Sequence, residues 1–139
     1  MSIFLAALLA LPRPAPNPPN KATLTVEIRN IRDNEGRIQL GLFKPSAGFP
    51  DKAKPFDTRM IAATKGSVQL VFAVEPGEYA LAAYHDINSN GKLDTRLLGI
   101  PKEPYGFSNN VRPRMSAPSF ADCKVVIGHD NKVIHIQLK

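Results

Sequence analysis

The segment "EPGEYALAAYHD" (Glu75–Asp86) decides the fold. A Pro-Gly pair breaks the chain, and a tyrosine follows two residues later. In many β-sandwiches this arrangement starts a central strand, with the tyrosine ring covering one end of the core. Beyond it, Tyr79, Leu81, Ala83 and His85 fall on one face at period two. Ala80 and Ala82 make the opposite face apolar as well, so the strand is predicted to be central and covered on both sides. Its small alanines leave room for a bulky neighbour such as Phe72 or Phe120.

The same alternation extends in both directions. "ATLTVEIRN" sets Leu24, Val26 and Ile28 on one face, and "RIQLGLF" does so with Ile38, Leu40 and Leu42. "SVQLVFAVE" aligns Val68, Leu70, Phe72 and Val74, and "KVVI" and "KVIHIQL" close the chain. "DNEG" (Asp33–Gly36) and "GHDN" (Gly128–Asn131) are predicted to be hairpin turns. "AGFPDKAKPFDT" (Ala47–Thr58) is a proline-broken loop with room for one helical turn. About seven short strands predict an all-β fold, an antiparallel two-sheet sandwich. Thirteen prolines in 139 residues support this, because proline inside a helix costs about 3 kcal/mol. From Asp86 to Phe120 the alternation fails. A long connection of this kind in a compact domain is usually functional.

The length suits a single domain over residues 21–139. The full chain's net charge of +6 comes from scattered lysines and arginines with no run of three, so no nucleic-acid footprint is present. The single cysteine, Cys123, has no partner for an internal disulfide and is predicted to be a small core residue. "IFLAALLAL" (Ile3–Leu11) is too short to span a bilayer but suits the apolar region of a signal peptide. A Pro-rich spacer follows it. No basic residue precedes the apolar run, as a start placed too far downstream would explain. Residues 1–20 are therefore expected to be a signal peptide, truncated or not, plus spacer. The domain is expected to be exported: periplasmic, outer-membrane-associated or secreted.

Three groups of residues carry candidate chemistry. The first is "HDINSNGKLD" (His85–Asp94). Asp86, Asn88, Asn90 and Asp94, with the Lys92 carbonyl, match the first part of a Ca²⁺ loop, and Gly91 permits its sharp turn. Leu97 stands where a bidentate glutamate would complete that loop. Few carboxylates imply weak calcium binding, and the same residues also suit a turn capped by its own Asp and Asn side chains. The second group is His85, Asp86 and Glu103, which would serve as acid/base groups if they converge in a cleft. A His85 that holds the loop against the sheet is the plainer alternative. The third is "YGFSNN" (Tyr105–Asn110). Tyr105 and Phe107 would stack on a sugar ring, with Ser108, Asn109 and Asn110 beside them as polar partners. Alternatively the rings plug the sandwich and the asparagines satisfy backbone groups. Ser108 lacks the G-x-S-x-G context of a hydrolase nucleophile.

The stretch from His85 to Asn110 resembles the hallmark of an exported bacterial family, domain of unknown function 2141. Its approximate pattern, H-D-x-N-x-N-G-x-L-D, then G-x-P-x-E-x-Y-G-F-S-N-N, then P-x-F, is met by His85–Asp94, Gly99–Asn110 and Pro118–Phe120. The resemblance covers roughly residues 22–139. It implies a transthyretin-like or immunoglobulin-like sandwich and an exported protein, and it brings no established activity. Three functions are consistent with these readings. The first is a non-enzymatic envelope accessory or binding module. Its 85–110 loop would recognise a carbohydrate or another envelope protein, or hold a weak Ca²⁺. The second is a hydrolase-like enzyme using His85, Asp86 and Glu103 on extracellular or cell-surface material. The third is a structural domain of an envelope assembly.

Overall fold

The computed structural model describes residues 20–89, 103–112 and 116–139. Eight strands follow one another within them: β1 (Ala22–Ile31), β2 (Arg37–Phe43), β3 (Asp57–Ala62), β4 (Gly66–Val74), β5 (Gly77–Asp86), β6 (Tyr105–Phe107), β7 (Val125–Ile127) and β8 (Lys132–Gln137). A 3₁₀ turn, Ser108–Asn110, follows β6, and one helical turn, α1 (Phe120–Cys123), precedes β7. The strands form two sheets, β4-β1-β8 and β3-β2-β5-β6, and β7 pairs with the first residues of β5. The chain is an all-β sandwich.

Period-two alternation produces this packing directly. Leu24, Val26 and Ile28 of β1, Ile38, Leu40 and Leu42 of β2, and Tyr79, Leu81 and Ala83 of β5 point between the sheets into one core. Burying each large apolar side chain is worth about 1.5–3 kcal/mol. The Tyr79 hydroxyl donates to the Glu75 carbonyl at 2.6 Å, so the tyrosine is tied back across the Pro-Gly turn that precedes it. The other face of β5 is covered too. Ala80 packs with Phe43, Phe49, Phe107 and Cys123 in a second cluster, on the outside of the five-stranded sheet, with Phe120 and Ala82 at its margin. The bulky neighbour over the alanines is thus Phe120 with Phe49 and Phe107, whereas Phe72 lies in the core between the sheets.

Three expectations need correction. The segments at 33–36 and 128–131 are not hairpin turns: β1 and β2 lie in different sheets, and so do β7 and β8. Consecutive strands with inward apolar faces can meet across the sandwich as readily as edge to edge, and alternation alone does not distinguish these. The sandwich is not wholly antiparallel, because β8 runs parallel to β1 from Leu24↔Lys132 to Arg29↔Gln137. By changing sheets after β7, the chain arrives beside a strand already running its way. The strand β3 had no signal, since nearly all of its residues are exposed and do not alternate in burial. Cys123 is buried in the second cluster, as expected of a small core residue, and closes a helical turn. Ser119 and Asp122 form a capping box there, each side chain bonding the other's backbone N–H.

Replacing Tyr79 with Phe removes the bond to Glu75 and leaves the ring in place. Urea unfolding should show a loss of about 1 kcal/mol with an unchanged m-value.

Candidate functional site

The outer face of the five-stranded sheet contains a pit, and the strand register explains it. At one level Thr58, Gly41, Ala82 and Phe107 stand in a row across β3, β2, β5 and β6. Two residues along the strands lie Met60, Gln39, Tyr84 and Tyr105. In the other direction Phe43 stands beside Ala80. Gly41 has no side chain and Ala82 has only a methyl group, so the first row is low at its middle, and the Phe43 ring leans into the space above Gly41, with Cε2 2.9 Å from where a Cβ would stand. The result is a groove of about 410 Å³ lined by Gln39, Gly41, Phe43, Pro50, Asp51, Pro55, Thr58, Ala82, Tyr84, Tyr105 and Phe107. Small-molecule sites typically measure about 300–1,000 Å³.

One rim comes from residues 44–56, which cross the outside of the sheet. Phe49 anchors them. Its ring lies 4.9 Å from that of Phe43 and 6.1 Å from those of Phe107 and Phe120, all edge-on. Edge-on pairs of this kind contribute about 0.5–1.5 kcal/mol each beyond their burial. A single turn in this strap, with Lys52 N donating to Gly48 O at 2.7 Å, puts Pro50 and Asp51 at the groove. The opposite wall is the Tyr105–Phe107 pair, with ring centres 5.7 Å apart. Arg112 steadies that wall: its guanidinium lies 5.1 Å over the Tyr105 ring and donates to Tyr105 O and Gln137 O.

The rest of "YGFSNN" is structural. Between the two outward rings, Gly106 faces the other sheet, where a Cβ would sit 2.7 Å from Gln137 O and from Ile136 Cγ2. Tyr105 and Lys139 exchange two backbone hydrogen bonds at 3.1 Å. β6 pairs with Ala82–Tyr84 and β7 with Gly77–Tyr79, and Ser108 fills the interval along β5. Its buried hydroxyl accepts from Leu81 N at 3.0 Å and donates to Cys123 O at 2.5 Å. Asn109 donates to Lys124 O at 2.9 Å, and Asn110 accepts from Gln137 N at 2.9 Å. Both asparagines hold positive φ, which this residue type tolerates. Tyr105 and Phe107 thus reach the groove, while Ser108, Asn109 and Asn110 bond backbone groups away from its lining.

His85, Asp86 and Glu103 come together at the far end of β5, and none of the three lines the groove. His85 is fully buried. Its Nε2 lies 2.5 Å from the Glu35 carbonyl and so donates to it, while its backbone N donates to Pro104 O at 2.9 Å. Thus His85 clamps the arch at 33–36 to the strand end. Gly36 completes the clamp, with φ at +68° and a Cβ position only 2.1 Å from Asp86 O. Asp86 is buried, with Arg37 Nε 3.8 Å from its carboxylate. Glu103 accepts from Ile87 N at 2.7 Å. Of the calcium donors, Asp86 and Asn88 are described, while Asn90, Lys92 and Asp94 lie outside the described residues. Among the described residues no three His, Cys, Asp or Glu side chains are grouped to hold a metal. The two nearby carboxylates already face Arg37 and the Ile87 N–H. The described donors alone do not fit a calcium shell, which takes six to eight oxygens.

The groove residues of β2, β3 and the strap were missed from sequence. The available signal was Gly41, an outward glycine in an otherwise regular strand, level with Ala82.

Burial, reinforced by Asp122, pushes the Cys123 thiol up to about 11. Two outcomes follow from this interior. Ser108→Ala leaves Leu81 N and Cys123 O without their partner and should cost about 1–3 kcal/mol in urea unfolding. The folded thiol keeps its proton to about pH 11, whereas an unperturbed thiol ionises near pH 9. Its contribution to stability is therefore complete below pH 9 and disappears as pH rises towards 11. Cys123→Ala should flatten that part of the stability profile, and thiol reagents should label the native chain only upon unfolding.

Comparison with known proteins gives one match. Residues 26–135 fit the family model described as "Uncharacterized protein conserved in bacteria (DUF2141)". No curated protein and no solved structure matches the chain. Among the described residues no helix is long and apolar enough to cross a membrane.

Proposed function

The chain belongs to the bacterial family DUF2141, and we propose that it is a non-enzymatic exported binding module that holds its ligand in the groove on the five-stranded sheet. The observation that carries this reading is the pit over Gly41 and Ala82, walled by Phe43, Tyr84, Tyr105 and Phe107. Recognition uses Tyr105 and Phe107 of the 85–110 loop, together with the strap at 44–56.

The fate of the acid/base candidates supports a non-enzymatic role. His85 binds the Glu35 carbonyl, Glu103 caps the Ile87 N–H and Asp86 faces Arg37, all away from the groove. A general acid or base must reach the proton that it transfers. Export to the periplasm, the outer membrane or the medium rests on the apolar run Ile3–Leu11 and the Pro-rich segment after it.

Nile red, a neutral dye that brightens in apolar surroundings, provides the test. The folded chain should bind one dye molecule saturably. Ala82→Leu puts a larger side chain over the floor, at a position where strand propensity favours it. It should weaken dye binding at least about tenfold, equivalent to about 1.4 kcal/mol, with the melting temperature maintained. Equal binding by both proteins would overturn the assignment.

A further inference from the structure

We infer that the groove takes a neutral saccharide, with one sugar ring lying over Ala82 against the aromatic wall. This deepens the proposed function and rests on it. The surroundings of the pit match such a ring. Its floor is backbone and a methyl group, and its wall is the Tyr105–Phe107 pair, held by Arg112 from behind the strand. Gln39, Asp51 and Thr58 stand around this apolar surface. Among the described residues no side-chain hydrogen bond or ion pair engages these three. A sugar ring has the matching chemistry: a C–H face for the aromatic surface and hydroxyl groups at its edge for a carboxylate, an amide and a hydroxyl.

Other ligand chemistries fit less well. An alkyl chain would place hydrocarbon beside the Asp51 carboxylate and remove that charge from water without a partner. An aromatic cage beside a carboxylate also suits a quaternary ammonium ion. Here, however, the Arg112 guanidinium already lies over Tyr105, and Lys44, Lys52 and Lys54 punctuate the strap. A cation would approach like charge, and an anion would meet Asp51. A neutral polyol avoids both penalties. The half-open groove has room for one ring and part of a linked neighbour, so the class is an oligosaccharide bound along its length.

The chain has no tryptophan and three tyrosines, two of which, Tyr84 and Tyr105, line the groove. Intrinsic tyrosine fluorescence therefore reports occupancy. Cellotetraose and maltotetraose, which present both linkage geometries, are titrated into the full chain, with choline and decanoate as competing classes. One tetrasaccharide should shift the fluorescence saturably, with a Kd on the order of 1 mM. Asp51→Ala and Thr58→Val should each weaken it about fivefold, and Ala82→Leu should abolish it. Gly41→Ser is the second groove-filling variant; its added Cβ would stand 2.9 Å from the packed Phe43 ring, so its melting temperature is measured beside its binding. Both exposed-rim variants, Asp51→Ala and Thr58→Val, leave the core untouched, so they keep the test valid if a groove-filling variant fails to fold. If neither sugar binds at tens of millimolar while the dye still occupies the groove, the saccharide class falls and the binding-module reading stands. Preferential binding of choline or decanoate, lost in Ala82→Leu, has the same meaning. Failure of sugars and dye together overturns both.

Discussion

The sandwich closes where β6 is pressed against β8, and that contact requires a residue with no side chain. Gly106 allows the approach; a methyl group there would collide with Gln137 O and Ile136. Because strand residues alternate, a glycine facing inward forces Tyr105 and Phe107 to face outward. The inner constraint and the outer wall of the groove are consequences of the same register. The reciprocal bonds between Tyr105 and Lys139 and the Ser108 bridge to Leu81 and Cys123 fix that register. Moving β6 by one residue would exchange the rings for the glycine and lose both the closure and the wall.

Much of the polar chemistry in the hallmark loop is spent on construction. His85 holds an arch, Glu103 caps a strand end, and the asparagines bond carbonyl and amide groups that would otherwise end unpaired. Buried backbone groups must find partners, and in a sandwich with sheet-changing links many of them face side chains rather than other strands. A motif dense in Asp, Asn, Ser and His therefore attracts catalytic readings when seen as text. What distinguishes the groove is the opposite property: Gln39, Asp51 and Thr58, among the described residues without side-chain hydrogen bonds, stand around an apolar floor.

The fold was largely legible in the sequence and the groove largely was not. Alternation in "ATLTVEIRN", "RIQLGLF" and "EYALAAYHD" identified the inward faces correctly, because burial on one face leaves a direct imprint on residue choice. Pairing partners left no such imprint, so the arch at 33–36 resembled a hairpin and the parallel β1–β8 pairing had no signal. The strand β3 was invisible, since exposed residues on both faces carry no pattern. Tyr105 and Phe107 stood out as aromatics in a polar loop. Asp51, Thr58 and Gly41 did not, because their significance comes only from register across strands that are distant in sequence.

The sheet-changing links also affect how quickly the chain reaches its native state. Of the connections between successive strands, those after β1, β3, β4 and β7 all change sheets, and β2–β3 and β5–β6 are the pairings between neighbours in sequence. The pairings that define the three-stranded sheet join β1 to β4 and β1 to β8, the latter across almost the whole domain. Few local ladders exist to serve as nuclei. Loop-closure entropy must be met before most contacts return any energy, which places this domain among the slower folders of its size.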